Sequence, residues 1–170
     1  RLLIAWPLAP AKDLLTILGT DIATSLLAEG RRSRLVKRLR EDLQIVESVD
    51  MDITTLEQGG IIGIEVCCLE ENLKQVEIEI KQIINQTIDS PINQDEILRA
   101  SHLVSNGFKF GLETTSQVAG HAGSQNLWRK EMQLLDPLKN IEYWTEDRLK
   151  TKIFINLKEE NSFTLVATPI

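Results

Sequence analysis

A change of hydrophobic period at residues 48–68 limits the fold more than any other feature of the chain. Val49, Met51 and Ile53 alternate with Ser48, Asp50 and Asp52, and after Gly59-Gly60 the alternation resumes at Ile62, Ile64, Val66 and Cys68. Successive side chains of a strand point to opposite faces, so each run places its apolar residues on one side. Two strands joined by a glycine-containing turn are predicted. Such a ribbon needs further strands beside it and a cover over its apolar face.

The rest of the chain supplies both. Leu2-Leu3-Ile4-Ala5-Trp6 reads as a buried strand stopped by Pro7 and Pro10, and Phe163, Leu165 and Ala167 alternate as a last strand before Pro169. Leu14, Leu18, Ile22 and Leu26 recur every fourth residue, widened by Ile17 and Leu27, and Gly30 closes that helix. A second helix starts near Ser33 with Leu35, Leu39 and Leu43 on one face. A third runs from Leu73 to the Asp89-Ser90-Pro91 break, and Asn93 with Glu96 three residues on forms a capping pair for a fourth through Ile97, Ala100 and Val104. Gly107 and Gly111 argue against one straight helix beyond it. Helical pattern resumes from Ser116 to Met132, Asp136-Pro137 opens a short helix, and Thr145 caps another from Glu146 to about Phe154. No repeat and no Pro-, Gly- or Ser-rich linker divides the chain, so residues 1–170 are expected to form a single domain. The fold class is α+β, with a mixed or largely antiparallel sheet covered on one face by helices.

Composition removes several functions. The net charge of -6 opposes nucleic acid as the main partner, because phosphate backbones are bound through an excess of Lys and Arg. A basic run does exist, Arg31, Arg32, Arg34, Lys37, Arg38 and Arg40, but only 5% of residues are aromatic and could stack on bases. It reads as a solvated helix face or a contact with a neighbouring domain. No stretch approaches the ~18 consecutive apolar residues of a membrane span, so a soluble segment is expected, its compartment unassigned. Cys67 and Cys68 are adjacent in a strand and point to opposite faces, which suits two half-buried thiols rather than a disulfide or a cysteine zinc site. Arg1 stands directly before an apolar run, without an initiator Met, and reads as the start of a piece of a longer polypeptide.

Three stretches carry a family resemblance. They are Gly30-Arg31-Arg32-Ser33-Arg34-Leu35-Val36-Lys37-Arg38-Leu39-Arg40-Glu41, then Asp95-Glu96-Ile97-Leu98-Arg99-Ala100 followed by Phe108, Phe110 and Glu113-Thr114, and finally Thr145-Glu146-Asp147. In this order they resemble the C-terminal, non-zinc-binding domain of insulinase/pitrilysin-type and mitochondrial processing peptidases. The resemblance implies a domain of a zinc metalloendopeptidase whose metal sits elsewhere, on an inverted H-x-x-E-H motif in an N-terminal domain. Neither histidine here fits that motif, since His102 is followed by Leu-Val-Ser-Asn and His121 by Ala-Gly-Ser-Gln. No metal ligand and no cofactor is therefore expected in this chain, with zinc expected in the parent protein.

The resemblance also marks Arg40 as a candidate contact for substrate or a partner, since the matching arginine of many relatives works with a tyrosine seven residues on. Here the seventh position is Glu47, and Gln44 stands where glycine is common. A carboxylate cannot replace a phenol as donor beside a developing oxyanion, which weakens a catalytic role and suits an ion-paired or solvated Arg40. His102 and His121 read as ordinary helix residues, and Glu70-Glu71 and Glu159-Glu160 as charges near helix starts. Trp6, Trp128, Tyr143 and Trp144 are expected in the core or at an interdomain surface. Gly59-Gly60 lacks the strand-to-helix setting of a phosphate loop. The implied role is a wall of a peptide-hydrolysing chamber, inactive alone, with the zinc-binding domain, a second half or subunit, and a peptide as partners, and a homodimer as one form. The alternative is a catalytically silent scaffold like the processing-peptidase relatives in respiratory complexes. A small-molecule-binding module of ferredoxin-like shape is a third reading, which the family patterns disfavour.

Overall fold

The computed structural model describes residues 1–127 and 135–168. Strands β1 (Leu2–Leu8), β2 (Ser48–Thr55), β3 (Gly60–Cys67) and β4 (Phe163–Val166) form one sheet in the order β2-β3-β1-β4. Every neighbouring pair is antiparallel. Of the two arrangements left open by the sequence, the sheet takes the purely antiparallel one. The predicted hairpin pairs Val49 with Val66, Met51 with Ile64 and Ile53 with Ile62, so both apolar runs lie on the same side.

Strand β1 runs through Pro7 to Leu8 rather than stopping before the proline. β4 pairs with β1 only as far as Ala5, so β1 is already an edge at Pro7 on that side. Edge positions are where a missing N–H leaves no ladder bond unmade. Leu2, Ile4, Trp6 and Leu8 face inward with Ile62, Ile64 and Val66, and all are buried.

Helices cover this one face. α1 (Leu14–Ala28) is capped by Asp13, whose side chain accepts from Thr16 N–H at 3.2 Å. It buries Leu18, Ile22, Leu26 and Leu27, the stripe read from the sequence. Gly30 ends the segment at φ +77°, a conformation that glycine reaches without the Cβ penalty. α2 (Leu73–Asp89) buries Val76, Ile80, Ile83 and Ile84. α3 spans Gln94–Phe110, so Gly107 lies inside the helix and Gly111 caps it. α4 (Thr115–Leu127), α5 (Asp136–Lys139) and α6 (Glu146–Lys152) follow. The expected extension to Met132, with Trp128, and Pro169 lie outside the described residues.

Two local structures depart from the simple helix reading. After only two α-helical residues, Arg34 and Leu35, the second helix widens into a π-helix, Val36–Asp42, closed by Leu43 N–H donating to Arg38 C=O at 3.0 Å. The widening still leaves Leu35, Val36 and Leu39 buried. α6 stops at Lys152, and Phe154–Leu157 tighten into a 3₁₀ turn that carries Ile153, Phe154 and Leu157 into the core.

Trp6 and Trp144 are both core residues, each 3% exposed. The indole N–H of Trp6 donates to Lys158 C=O at 3.1 Å. Trp144 lies on α1 at Gly19, where an added Cβ would overlap its ring, so close helix contact requires glycine there. Tyr143 is half-buried, packed edge-on against Trp144 at 5.3 Å, with the Arg148 guanidinium 4.0 Å above its ring. Its hydroxyl lies 2.6 Å from Lys152 Nζ, and that cation lowers its pKa.

Candidate functional site

The first two family-like stretches meet in one network, and the third bonds to the residue just before the helix cap of the second. Arg34, in the first, places its guanidinium flat against the Glu96 carboxylate of the second, with Nε–Oε1 at 2.9 Å and Nη2–Oε2 at 2.8 Å. Nη1 donates to Thr87 Oγ1 at 2.9 Å, and that fully buried hydroxyl donates onward to Ile83 C=O at 2.7 Å. Planar two-bond pairing of this kind fixes orientation as well as charge. Glu96 also accepts the Asn93 N–H at 3.3 Å, while Asn93 accepts the Asp95 N–H at 2.9 Å, completing the predicted capping box. The Arg34 guanidinium beside it holds the Glu96 carboxyl below the usual carboxylate range.

Arg99 reaches back to the end of α1, donating to Glu29 C=O at 2.8 Å and Ser25 C=O at 3.3 Å. A cation suits a helix C-terminus, where carbonyls lack intrahelical partners. Glu146 of the third stretch accepts the Ile92 N–H at 2.9 Å, and the Thr145 side chain caps α6 as expected. The residues that carry the resemblance thus join α1, α3 and α6.

The basic run is mostly paired within the chain. Arg31 meets Glu41 at 2.6 Å, Arg38 meets Glu79 through two bonds at 2.8 and 3.1 Å, and Arg34 meets Glu96. Arg31 lowers the Glu41 pKa, and Glu79 raises that of Arg38. Arg40 lies on the π-helix with half of its side chain exposed and Nε 3.6 Å from Glu41 Oε1. Glu47 accepts from the Cys67 thiol at 3.3 Å, and this carboxylate pushes the thiol pKa up. Cys67 and Cys68 are both half-buried and free, as expected, although β3 ends at Cys67 and leaves Cys68 just beyond the strand.

Gln44 gives the family pattern a physical meaning. Its φ is +54°, and it is the one non-glycine residue with positive φ among the described residues. It turns the chain out of the π-helix so that Ile45 N–H reaches Leu39 C=O at 3.1 Å. Relatives with glycine here would make the same left-handed turn unstrained.

Among the described residues nothing covers the sheet's second face. Leu3, Ala5 and Pro7 share it with Ile61, Gly63 and Glu65 through the β1–β3 register, and with Phe163 and Leu165 through β4. Phe163 is 68% exposed, and Ile61 and Leu165 are each 49% exposed. A run of exposed apolar side chains on one surface marks a place where something docks. Arg1 pairs with Glu65 at its border.

His102 is exposed on α3, and His121 is half-buried on α4 with its ring edge-on to Phe108 at 5.0 Å. Among the described residues no group of three or more His, Cys, Asp or Glu could hold a metal ion, so the zinc implied by the family has no fitting donor set here. Among the same residues no helix is long and apolar enough to cross a membrane.

Sequence reading did not find the partners Arg34–Glu96 and Arg99–Glu29, which are 62 and 70 residues apart. It also passed over Asp21, although that residue falls on the helix between Leu18 and Ile22 of the apolar stripe. Burial raises its pKa to about 6, helped by the nearby negative charge of Glu29.

The family described as the Peptidase M16 inactive domain matches residues 1–104, and the chain belongs to that family. No curated protein matches the chain. An inactive peptidase domain from Bordetella parapertussis superposes with a TM-score of 0.85 at 15% identity, covering 99% of this chain and 93% of that one. A peptidase M16 inactive domain from Pseudomonas fluorescens gives 0.85 at 15% identity, covering 99% of this chain and 42% of that one. A chain of complex III2 from Candida albicans gives 0.78 at 16% identity, covering 96% of this chain and 41% of that one. At such identities the likeness is one of fold. The chain spans about two fifths of the last two proteins and nearly all of the first.

Proposed function

We propose that this domain is a non-catalytic wall of a zinc-dependent endopeptidase chamber, one domain of a larger protein, held against a zinc-bearing partner domain. The bare face at Leu3, Ile61, Phe163 and Leu165 carries this reading, because helices cover the opposite face. An aromatic and aliphatic surface of this kind suits the centre of a docking interface. The edge strand β2 offers backbone donors and acceptors to an extended peptide. In this reading the zinc lies outside the chain, which family membership and the lack of a fitting donor set among the described residues support. Arg40 is half-exposed and can reach a peptide or a partner domain.

The test uses the chain alone and with the zinc-bearing half of its parent. The chain with zinc and peptide substrates should show no hydrolysis, and Phe163→Glu with Leu165→Glu should abolish its association with the other half. Robust peptidase activity from the chain alone, or unchanged association of the double variant, overturns the reading.

A second reading, a silent scaffold, is favoured by Glu47, which stands in the tyrosine position engaged by a thiol. An H-x-x-E-H motif in the domain preceding this one decides for the peptidase, and its loss for the scaffold.

A further inference from the structure

A groove of about 720 Å³ lies between α1, α3, α4 and α5, beside the edge of β2. This is within the size range of small-molecule sites. Its walls are more apolar than polar, formed in part by Leu14, Ile17, Leu103, Val104, Phe108 and Ile141. Asp21, Glu29 and His121 also line it, and no Lys or Arg does among the described residues; Asp50 and Asp52 border it on β2, but their alternation with inward Met51 turns their side chains to the sheet's other face. The second large groove is the opposite case, lined by Arg31, Arg34, Arg38 and Arg99 facing carboxylates that pair with them.

Asp21 is the singular group. It is partly buried on α1, and no donor among the described residues reaches its carboxylate. Two hydroxyls lie on the same helix: Thr24 donates to Asp21 C=O at 3.0 Å, and Ser25 donates to the Glu29 carboxylate at 2.5 Å. Each hydroxyl oxygen keeps lone pairs that can accept from a cation. A pocket with negative charge on low-dielectric walls concentrates cations, and an ammonium there gains more than it would in water.

We propose that this groove binds a small amphiphilic amine, its apolar body against Val104 and Phe108 and its ammonium paired with Asp21. The site stands apart from the bare sheet face and does not depend on the chamber reading. An alcohol of the same shape lacks the charge and binds more weakly.

The test titrates the 170-residue chain with 4-phenylbutylamine and, separately, with 4-phenylbutan-1-ol, following backbone amide shifts by NMR at pH 7.5. The amine should bind saturably, at least tenfold tighter than the alcohol, with shifts centred on Asp21, Val104 and Phe108. Asp21→Asn should weaken the amine at least tenfold and leave the alcohol unchanged. Gly107 lines the groove, and no described residue comes within 4 Å of a Cβ built there, so Gly107→Leu adds an apolar side chain at the groove wall with no clash at its Cβ. It should block both compounds, and it keeps the test decisive if the Asp21 variant fails to fold. Equal affinity for amine and alcohol, no binding of the amine, shifts elsewhere on the surface, or undiminished binding by Gly107→Leu would each overturn the proposal.

Discussion

Two charged regions flank the α1–α3 pair, and they are built on opposite terms. Around Arg34 the carboxylate of Glu96 has a planar cationic partner, a capping N–H, and a buried hydroxyl beside the pair. Around Asp21 a carboxyl lies in a largely apolar groove where no donor among the described residues reaches it and Glu29 adds a second negative charge. Burial of charge is tolerable when paired and unfavourable when not. The first region therefore holds helices together, while the second carries a penalty that a fold under selection for stability alone would shed. Natural chains that keep such a group spend stability on something other than packing.

Breaking the first region should have the larger effect. Arg34→Ala leaves Glu96 partly buried without its partner and removes the bond to Thr87, and it should destabilise the domain by about 3 kcal/mol in urea unfolding. Arg34→Met combined with Glu96→Gln should recover much of that loss, because no charge is then stranded. The pH dependence adds a second readout. The Glu96 pKa is lowered in the fold, so its contribution is present above the unfolded carboxylate value of about 4.3 and is lost as pH falls through the depressed one. Arg34→Ala should flatten that part of the acid limb. An Arg34→Ala domain as stable as wild type at pH 7 would show that the pair is ornamental.

The second region predicts a change of opposite sign. The Asp21 pKa is raised from 3.8 to about 6, so the folded state binds a proton more tightly than the unfolded chain does. Stability from this group falls as pH rises from about 4 to about 6, and the penalty is fully present above that. Asp21→Asn should therefore stabilise the domain by about 2 kcal/mol at pH 8 and by almost nothing at pH 3.5. Urea midpoints of the two proteins at both pH values check this. A variant that is less stable at pH 8 would mean that the carboxylate has a favourable partner, and the contrast between the two regions would disappear.

What the sequence made legible follows from the range of each signal. The hairpin, the α1 stripe and the Asn93–Glu96 cap were readable because their periods and pairings lie within a few residues. The bare sheet face could be expected only in outline, since Leu3 and Leu165 become neighbours through a register set by the whole fold. Arg34 with Glu96, and Glu146 with Ile92, join residues more than 50 apart, and local pattern does not encode such distances. The π-helix was hidden for a different reason. Leu35 and Leu39 at a spacing of four satisfy either winding, and the choice depends on the left-handed turn that follows. Asp21 went unread although its charge interrupts an apolar stripe, because only the packing of α4 and α5 gives that position a cavity.

The smallest effect concerns the turn at Gln44, which lies outside both regions and so calibrates them. A residue with a Cβ at φ +54° is strained, by about 1 kcal/mol for most side chains, and glycine relieves the strain while giving the unfolded chain more freedom to lose. The two terms oppose each other, and relief of the native strain is the larger wherever φ is positive. Gln44 is exposed and its turn is fixed by the Ile45–Leu39 bond, so Gln44→Gly should leave the fold unchanged and raise stability by about 0.5 kcal/mol or less. Unlike Asp21→Asn, this gain should be the same at pH 8 and at pH 3.5, because no titrating group changes. A pH-dependent gain at Gln44 would trace it to a redistribution of charge near Glu41 and Glu47, and the pH signature assigned to Asp21 would lose its meaning as a mark of unpaired burial.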